Sequence, residues 1–145
     1  MSVIPRLIRL LLPKPRVASG DVDSEIRILN HLSALSGKPL TRLVFSRINR
    51  RIMELIATYG NPDGIGLELG AGAAPLESVR RPPLHADVVF SSHLDLVCDA
   101  HALPFADGSL SYICLQNTFH HLGNPYLAIE QFRSALNVTG ILLIF

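Results

Sequence analysis

The sequence is poor in cysteine: Cys98 and Cys114 are its only two in 145 residues, and no CxxC spacing occurs. A disulfide-stapled scaffold is therefore excluded. Both cysteines sit inside apolar segments, which reads as two buried thiols in a reducing compartment, against the alternative of one disulfide. A cytoplasmic location follows as the expectation. Charge of one sign is also lacking, since the formal net charge is +1 with both signs mixed along the chain. Bulk electrostatics gives no reason to expect nucleic acid as a partner. No stretch repeats at a solenoid period, no tract is of low complexity, and no apolar run reaches the length of a membrane span. His85, His93 and His101 are each isolated in the sequence, and no His/Cys/Asp cluster has ligand spacing, so no metal is expected.

What is present is a hydrophobic chain, 48% by residue, of a length that one domain can fill. The segment "MSVIPRLIRLLLPKPRVASG" carries Arg6, Arg9, Lys14 and Arg16 and no acid. The arginines and Pro13 and Pro15 fit a secretory signal poorly. Ile4, Leu7, Ile8 and Leu11 fall on one helical face, so residues 3–12 are expected to form a short helix resting on the domain or on a membrane surface. Two further helices are expected. One carries Ile26, Leu29, Leu32 and Leu35 and stops at Gly37. The other, "TRLVFSRINRRIMELIATYG", turns Leu43, Ile48, Ile52, Leu55 and Ile56 inward, puts Arg47, Arg50 and Arg51 in water and stops at Gly60. These make residues 1–60 an N-terminal helical extension.

After Gly60 the period changes from helix to strand. Apolar runs at 65–69, 84–86, 94–98, 111–115 and 140–145 are separated by turns or helical stretches, the mark of an α/β domain over 61–145 with helices on both faces of its sheet. One of those helices is "NPYLAIEQFRSAL", with Asn124 as cap, Pro125 at the first turn, and Ile129, Phe132 and Leu136 toward the sheet.

In "GIGLELGAGAAP", Ile65, Leu67 and Leu69 alternate with Gly66, Glu68 and Gly70 as a buried strand would. Gly70-Ala71-Gly72 then turns, and Ala73 to Val79 can start a helix. This arrangement exposes backbone N–H groups and a helix N-terminus to a nucleotide-like ligand, and the small residues suit close approach. A dinucleotide site needs G-x-G-x-x-G, but the last position is Pro75, and no Gly-Lys-Ser/Thr phosphate loop exists. Glu68 before the turn repels a pyrophosphate and suits an ammonium or sulfonium group. Asp87, at the end of "PPLHAD", stands where an acid on the second strand takes ribose hydroxyls.

Together "LELGAGAA" and "LDLVCDAHALPFADGSLSYICLQNTFHHLGNPYLAIEQFRSALNVTGILLIF" resemble the class I S-adenosylmethionine-dependent methyltransferases, most closely the small-molecule group labelled methyltransferase type 11. The resemblance covers residues 63–145. It implies a Rossmann-like, doubly wound, mostly parallel sheet of order 3-2-1-4-5, S-adenosyl-L-methionine as cofactor and a small-molecule methyl acceptor. Carried over, it sets Glu68 toward the methionine amino group, with Gly70 and Gly72 beneath methionine and ribose. Asp87 takes the ribose diol, Asp99 and the Ala100 N–H the adenine, and Gln116 the methyl side. His120 and His121 are the candidates for deprotonating an acceptor, with packing or pocket lining as the alternative.

The pattern departs from the family at Ala74, Ser111 and "NVTG" (137–140), where one glycine is left for the turn. Pro82 and Pro83 shorten the preceding helix. The family follows its fifth strand with a helix and an antiparallel strand pair, which the sequence to Phe145 does not contain. Residues 140–145 are therefore expected to form an exposed edge prone to self-association. A truncated, non-catalytic remnant, binding cofactor weakly or serving as an interaction module, is the alternative function.

Overall fold

The structure is a computed structural model that describes residues 38–72, 76 and 81–145. The expected helices over 3–12 and 21–37, and the helix start over 73–79 apart from Leu76, lie outside the described residues. Among these, helix α1 (Pro39–Tyr59) is followed by strands β1 (Gly66–Leu69), β2 (Leu84–Asp87), β3 (Leu96–Val97) and β4 (Leu110–Leu115). A single 3-10 turn (Phe119–His121), helix α2 (Pro125–Ala135) and strand β5 (Leu136–Ile144) complete the order.

The five strands form one sheet in the order β3-β2-β1-β4-β5, and every neighbouring pair is parallel. This is the expected doubly wound, Rossmann-like sheet. The chain leaves β1 toward β2 and β3 on one side and returns to β4 and β5 on the other. That reversal opens a crevice at the carboxyl ends of β1 and β4. Both central strands are buried along their whole length, as a sheet covered on two faces requires.

Strand alternation divides the core. Leu67, Leu69, Ala86, Ile113 and Leu115 share one cluster with Ala128, Phe132 and Ala135 of α2. Tyr112 and Cys114 lie in the other with Ile52 and Ile56 of α1 and with Leu76, and Ile141 and Leu143 of β5 pack against it. Glu68 pairs with His85 on one side and Cys114 on the other. The sheet face that carries Glu68 is therefore the α1 face.

Helix α1 has Pro39 in its first turn and ends where the Gly60 N–H reaches Ile56 O at 2.9 Å. Its expected apolar stripe holds at Ile52 and Ile56, but Leu43 is 49% exposed. A 21-residue helix is ~31 Å long, whereas strands of four to six residues span ~13–20 Å. The sheet covers only part of it. Arg47, Arg50 and Arg51 are exposed, and Arg51 meets Glu54 at 3.3 Å.

In α2 the Asn124 side chain accepts from the Leu127 N–H at 3.2 Å and Pro125 opens the helix, as expected. The buried face is Ala128, Phe132 and Ala135, with Ile129 half-buried. Leu136 is not helical: it takes extended backbone and starts β5. The anticipated "NVTG" turn survives as a bulge within that strand. Leu110 pairs with Leu136, but Tyr112 pairs with Ile141, so residues 137–140 loop out, with Asn137 Oδ1 accepting from the Thr139 N–H and hydroxyl.

The run 94–98 yields only a two-residue β3. Asp95 and Cys98 flank it with backbone bonds to His85 O and Asp87 O. Both cysteines are free and buried, and no helix among the described residues is long and apolar enough to cross a membrane.

Candidate functional site

The candidate site is built from loops at the carboxyl ends of β1, β2, β3 and β4. Beyond β1 the chain turns through Gly70 (φ +70°), Ala71 and Gly72 (φ +46°). Both glycines occupy the left-handed region that side chains disfavour. The turn is docked on β2: the Ala71 N–H donates to Ala86 O at 3.0 Å, and the Gly72 N–H to Asp87 Oδ2 at 3.2 Å.

The two glycines serve different neighbours. A Cβ on Gly70 would stand 2.1 Å from Thr118 Oγ1, so the group that comes close there belongs to the protein itself, in the loop after β4. Gly66 is similar, lying under the Tyr112 ring. At Gly72 a Cβ would meet, among the described residues, only Gly70 O at 3.6 Å and Asp87 Oδ2 at 3.9 Å, both ordinary contact distances. Among the described residues the crowding seen at Gly70 is therefore absent at Gly72, a narrower result than the whole stretch suggested.

Glu68 is 1% exposed, and its Oε2 accepts from the Leu76 N–H at 2.7 Å and lies 2.8 Å from His85 Nδ1. The Glu68 hydrogen bond raises the His85 pKa from its ordinary value, against the opposing effect of burial. Burial chiefly pushes the neighbouring Cys114 thiol up to about 12, with a smaller contribution from the Glu68 charge.

Asp87 ends β2 with both oxygens in use, Oδ2 for Gly72 and Oδ1 for the Val89 N–H at 3.1 Å. Asp99 lies past β3 with its side chain 56% exposed. Its Oδ1 accepts from the His101 N–H at 2.9 Å and from His101 Nδ1 at 2.6 Å, bonds that lower its pKa, the backbone one most. The Asn124 N–H donates to His101 Nε2 at 3.2 Å, so that nitrogen is unprotonated and Nδ1 bears the hydrogen. Ala100 is buried between Asp99 and His101.

Gln116 immediately follows β4. It is 9% exposed, and among the described residues neither its Oε1 nor its Nε2 has a hydrogen-bond partner. An amide buried with both polar atoms unpaired costs free energy unless something else satisfies it. Asn117 beside it holds φ +54°, and its N–H donates to Phe145 O at 2.8 Å. The Thr118 hydroxyl lies 3.1 Å from Gln116 O and 3.4 Å from Gly70 O, tying the β4 loop to the β1 turn.

His120 and His121 are exposed on the 3-10 turn, their ring centroids 3.9 Å apart and tilted by 45°. Among the described residues no group of three or more His, Cys, Asp or Glu could hold a metal ion. A hollow of about 250 Å³ lined by Ile65, Gly66, Arg81, Pro82 and Leu84 lies at the opposite, amino-terminal ends of β1 and β2 and is not part of this site.

The histidines that look isolated in the sequence are not isolated in the fold. His85 pairs with Glu68, His101 with Asp99, and His93 bridges Ser91 Oγ at 2.8 Å and Gly72 O at 2.5 Å. His93 and Thr118 were missed as site residues. Their partners are 21 and 48 residues away, so no local motif marks them.

Residues 74–144 match the model of a methyltransferase domain family. A solved structure described as an S-adenosyl-L-methionine-dependent methyltransferase, from Methanococcus maripaludis, superposes with TM-score 0.66 at 15% identity, over 89% of this chain and 66% of that one. The CMeT domain of the citrinin polyketide synthase gives TM-score 0.53 at 17% identity, over 80% of this chain and 38% of that one. The chain thus spans just under two thirds of the first structure and less of the second. No curated protein matches the sequence significantly. The family match covers just under half of the chain, and the likenesses establish a Rossmann-like fold of the kind seen in methyltransferases.

The cofactor these resemblances imply is S-adenosyl-L-methionine, and the residues present fit it. The uncrowded glycine turn at Gly72, an unpaired buried amide at Gln116 and the Asp87 and Asp99 carboxylates surround the same sheet end. These groups suit a ligand with a diol, an aminopurine and a cationic tail.

Proposed function

We propose that the chain transfers a methyl group from S-adenosyl-L-methionine to a small-molecule acceptor. The observation that carries this reading is Gln116, a buried amide with both polar atoms unpaired at the carboxyl end of β4. A polar ligand in the crevice would satisfy it. The bound cofactor supplies an already activated methyl group on a sulfonium, so the protein's task is placement and exclusion of water. Asp87 holds the ribose diol next to Gly72, and Asp99 with the Ala100 N–H selects the adenine. Glu68 provides the carboxylate for the methionine ammonium group. Gln116 orients the methyl side, and His120 or His121, exposed beyond β4, takes the proton of an acceptor hydroxyl or amine. The two free, buried thiols support a cytoplasmic setting.

Titration calorimetry with S-adenosyl-L-methionine, its demethylated product and NAD tests the reading. The expected result is binding of the first two in preference to the third. Asp87→Ala removes the ribose contacts, and loss of even one bond to a charged group, at about 1.5–3 kcal/mol, is worth roughly ten- to hundredfold in affinity. Asp87→Asn, which keeps one acceptor for the loop amides, separates loss of ligand contacts from loss of loop order. Equal affinity in wild type and both variants rejects the ribose assignment. Binding without methyl release from any acceptor selects the non-catalytic reading instead.

A further inference from the structure

The Gly72 residue is gripped at both of its backbone polar groups. Its N–H donates to Asp87 Oδ2 at 3.2 Å, and its carbonyl lies 2.5 Å from His93 Nε2. A carbonyl can only accept, so Nε2 carries the hydrogen. In the neutral ring Nδ1 is then an acceptor, and the Ser91 hydroxyl 2.8 Å away is its donor. Ser91 is fully buried, and its carbonyl accepts from the Leu94 N–H at 3.1 Å, so the anchor of the chain is itself held. The result is an unbroken line of bonds from the buried loop after β2, through an imidazole, into the glycine turn after β1, and back to β2 through Asp87.

Among the described residues no other hydrogen bond reaches that carbonyl. Gly72 has no side chain, stands in the left-handed region, and a Cβ there would meet only ordinary contacts among the described residues. A glycine there has more conformational freedom to lose than any other residue. The imidazole supplies the restraint that a side chain cannot. Both ring nitrogens have protein partners, which leaves none for a ligand or for proton transfer.

We propose that His93 is a positioning residue for the cofactor turn. Its Nε2–H holds the Gly72 carbonyl, keeps the Gly72 N–H on Asp87, and so presets the distance between turn and carboxylate before the cofactor arrives. The effect on affinity rests on the reading that Gly72 and Asp87 take the cofactor, whereas the restraint on the turn does not.

Two substitutions divide the ring's functions. In His93→Gln the terminal amide nitrogen can reach the place of Nε2 and keep the donor to Gly72. In His93→Asn the shorter side chain reaches only the Nδ1 position and keeps the Ser91 contact alone. Hydrogen exchange at the Gly72 amide is read first, on the full chain without ligand. We expect at least tenfold faster exchange in His93→Asn and near wild-type exchange in His93→Gln, as for loss of one hydrogen bond of about 1.5 kcal/mol. Calorimetry with S-adenosyl-L-methionine should show the same order, about tenfold weaker binding for Asn and less than threefold for Gln. Thermal midpoints of the two variants should be alike.

Unchanged Gly72 exchange in His93→Asn, or equal changes in both variants, overturns the proposal. So does an affinity loss that follows the thermal midpoint rather than the donor. If wild type binds no S-adenosyl-L-methionine, the functional reading fails while the exchange result still decides the role of His93.

Discussion

Glu68 and His85 occupy one rung of neighbouring parallel strands, and Glu68 Oε2 lies 2.8 Å from His85 Nδ1. The carboxylate is almost fully buried and the imidazole mostly so. The pair joins β1 to β2 directly below the glycine turn, and the Leu76 N–H on the same oxygen ties in the segment that follows the turn. Asp95 lies beside the rung, its Oδ2 accepting from the His85 N–H at 2.8 Å and its charge adding to the rise in the His85 pKa.

This pair makes stability depend on pH. The His85 pKa is raised in the folded chain, so its contribution is fully present below about 6.5, the unfolded value. It is lost as pH rises through the higher folded value. The thermal midpoint of wild type is expected to fall over that window relative to His85→Gln. Cys98, Tyr112 and Cys114 do not interfere, because burial pushes them up to about 11, 12 and 12. Parallel pH curves for wild type and variant would remove the ion pair from the account of the fold.

Gly70 and Gly72 should respond differently to alanine. At Gly70 the added methyl meets Thr118 in a left-handed backbone, so Gly70→Ala combines ~1–2 kcal/mol of backbone cost with ~1–3 kcal/mol of overpacking. At Gly72 only the backbone cost of ~1–2 kcal/mol applies, since among the described residues a Cβ would meet nothing closer than ordinary contact. Urea midpoints should therefore drop further for Gly70→Ala, while cofactor affinity per unit of lost stability should drop further for Gly72→Ala. Equal midpoints would mean that Thr118 does not press on the turn.

Alternation and glycine placement made the strands legible in the sequence, because a strand buried on both faces leaves a short apolar run between turns. The family resemblance supplied the strand order, and the structure agrees. Cross-strand pairing was not legible. The rung of Glu68 with His85 depends on the register of β1 on β2, and the closeness of Gly70 to Thr118 depends on two loops 48 residues apart. Helix faces were read only in part. Ala128 and Ala135 fill the α2 core where Leu136 was expected, because small side chains let the helix sit close and the strand begins at Leu136. Asp87, Asp99 and Gln116 are candidates by motif, whereas the contacts of His93 with Gly72 and of His101 with Asp99 are marked by no motif.

The packing of α2 on the sheet yields the last prediction. Phe132 is 0% exposed and shares its cluster with Leu67, Leu69, Ile113 and Leu115 of the two central strands. Truncating a ring in such a place removes its burial and leaves a cavity that the rigid sheet cannot collapse to fill. Phe132→Ala is expected to cost ~3–5 kcal/mol, seen as a lower denaturant midpoint with an unchanged slope. Tyr126, on the same helix but 86% exposed, is the control, and its replacement by alanine should stay within about 0.5 kcal/mol. Ile129 is half-buried against the same cluster, so Ile129→Ala should fall between the two. If Phe132→Ala left the midpoint where it was, or if Tyr126→Ala cost as much, α2 would pack on the sheet through a different face, and the strand after it would leave the helix in another register.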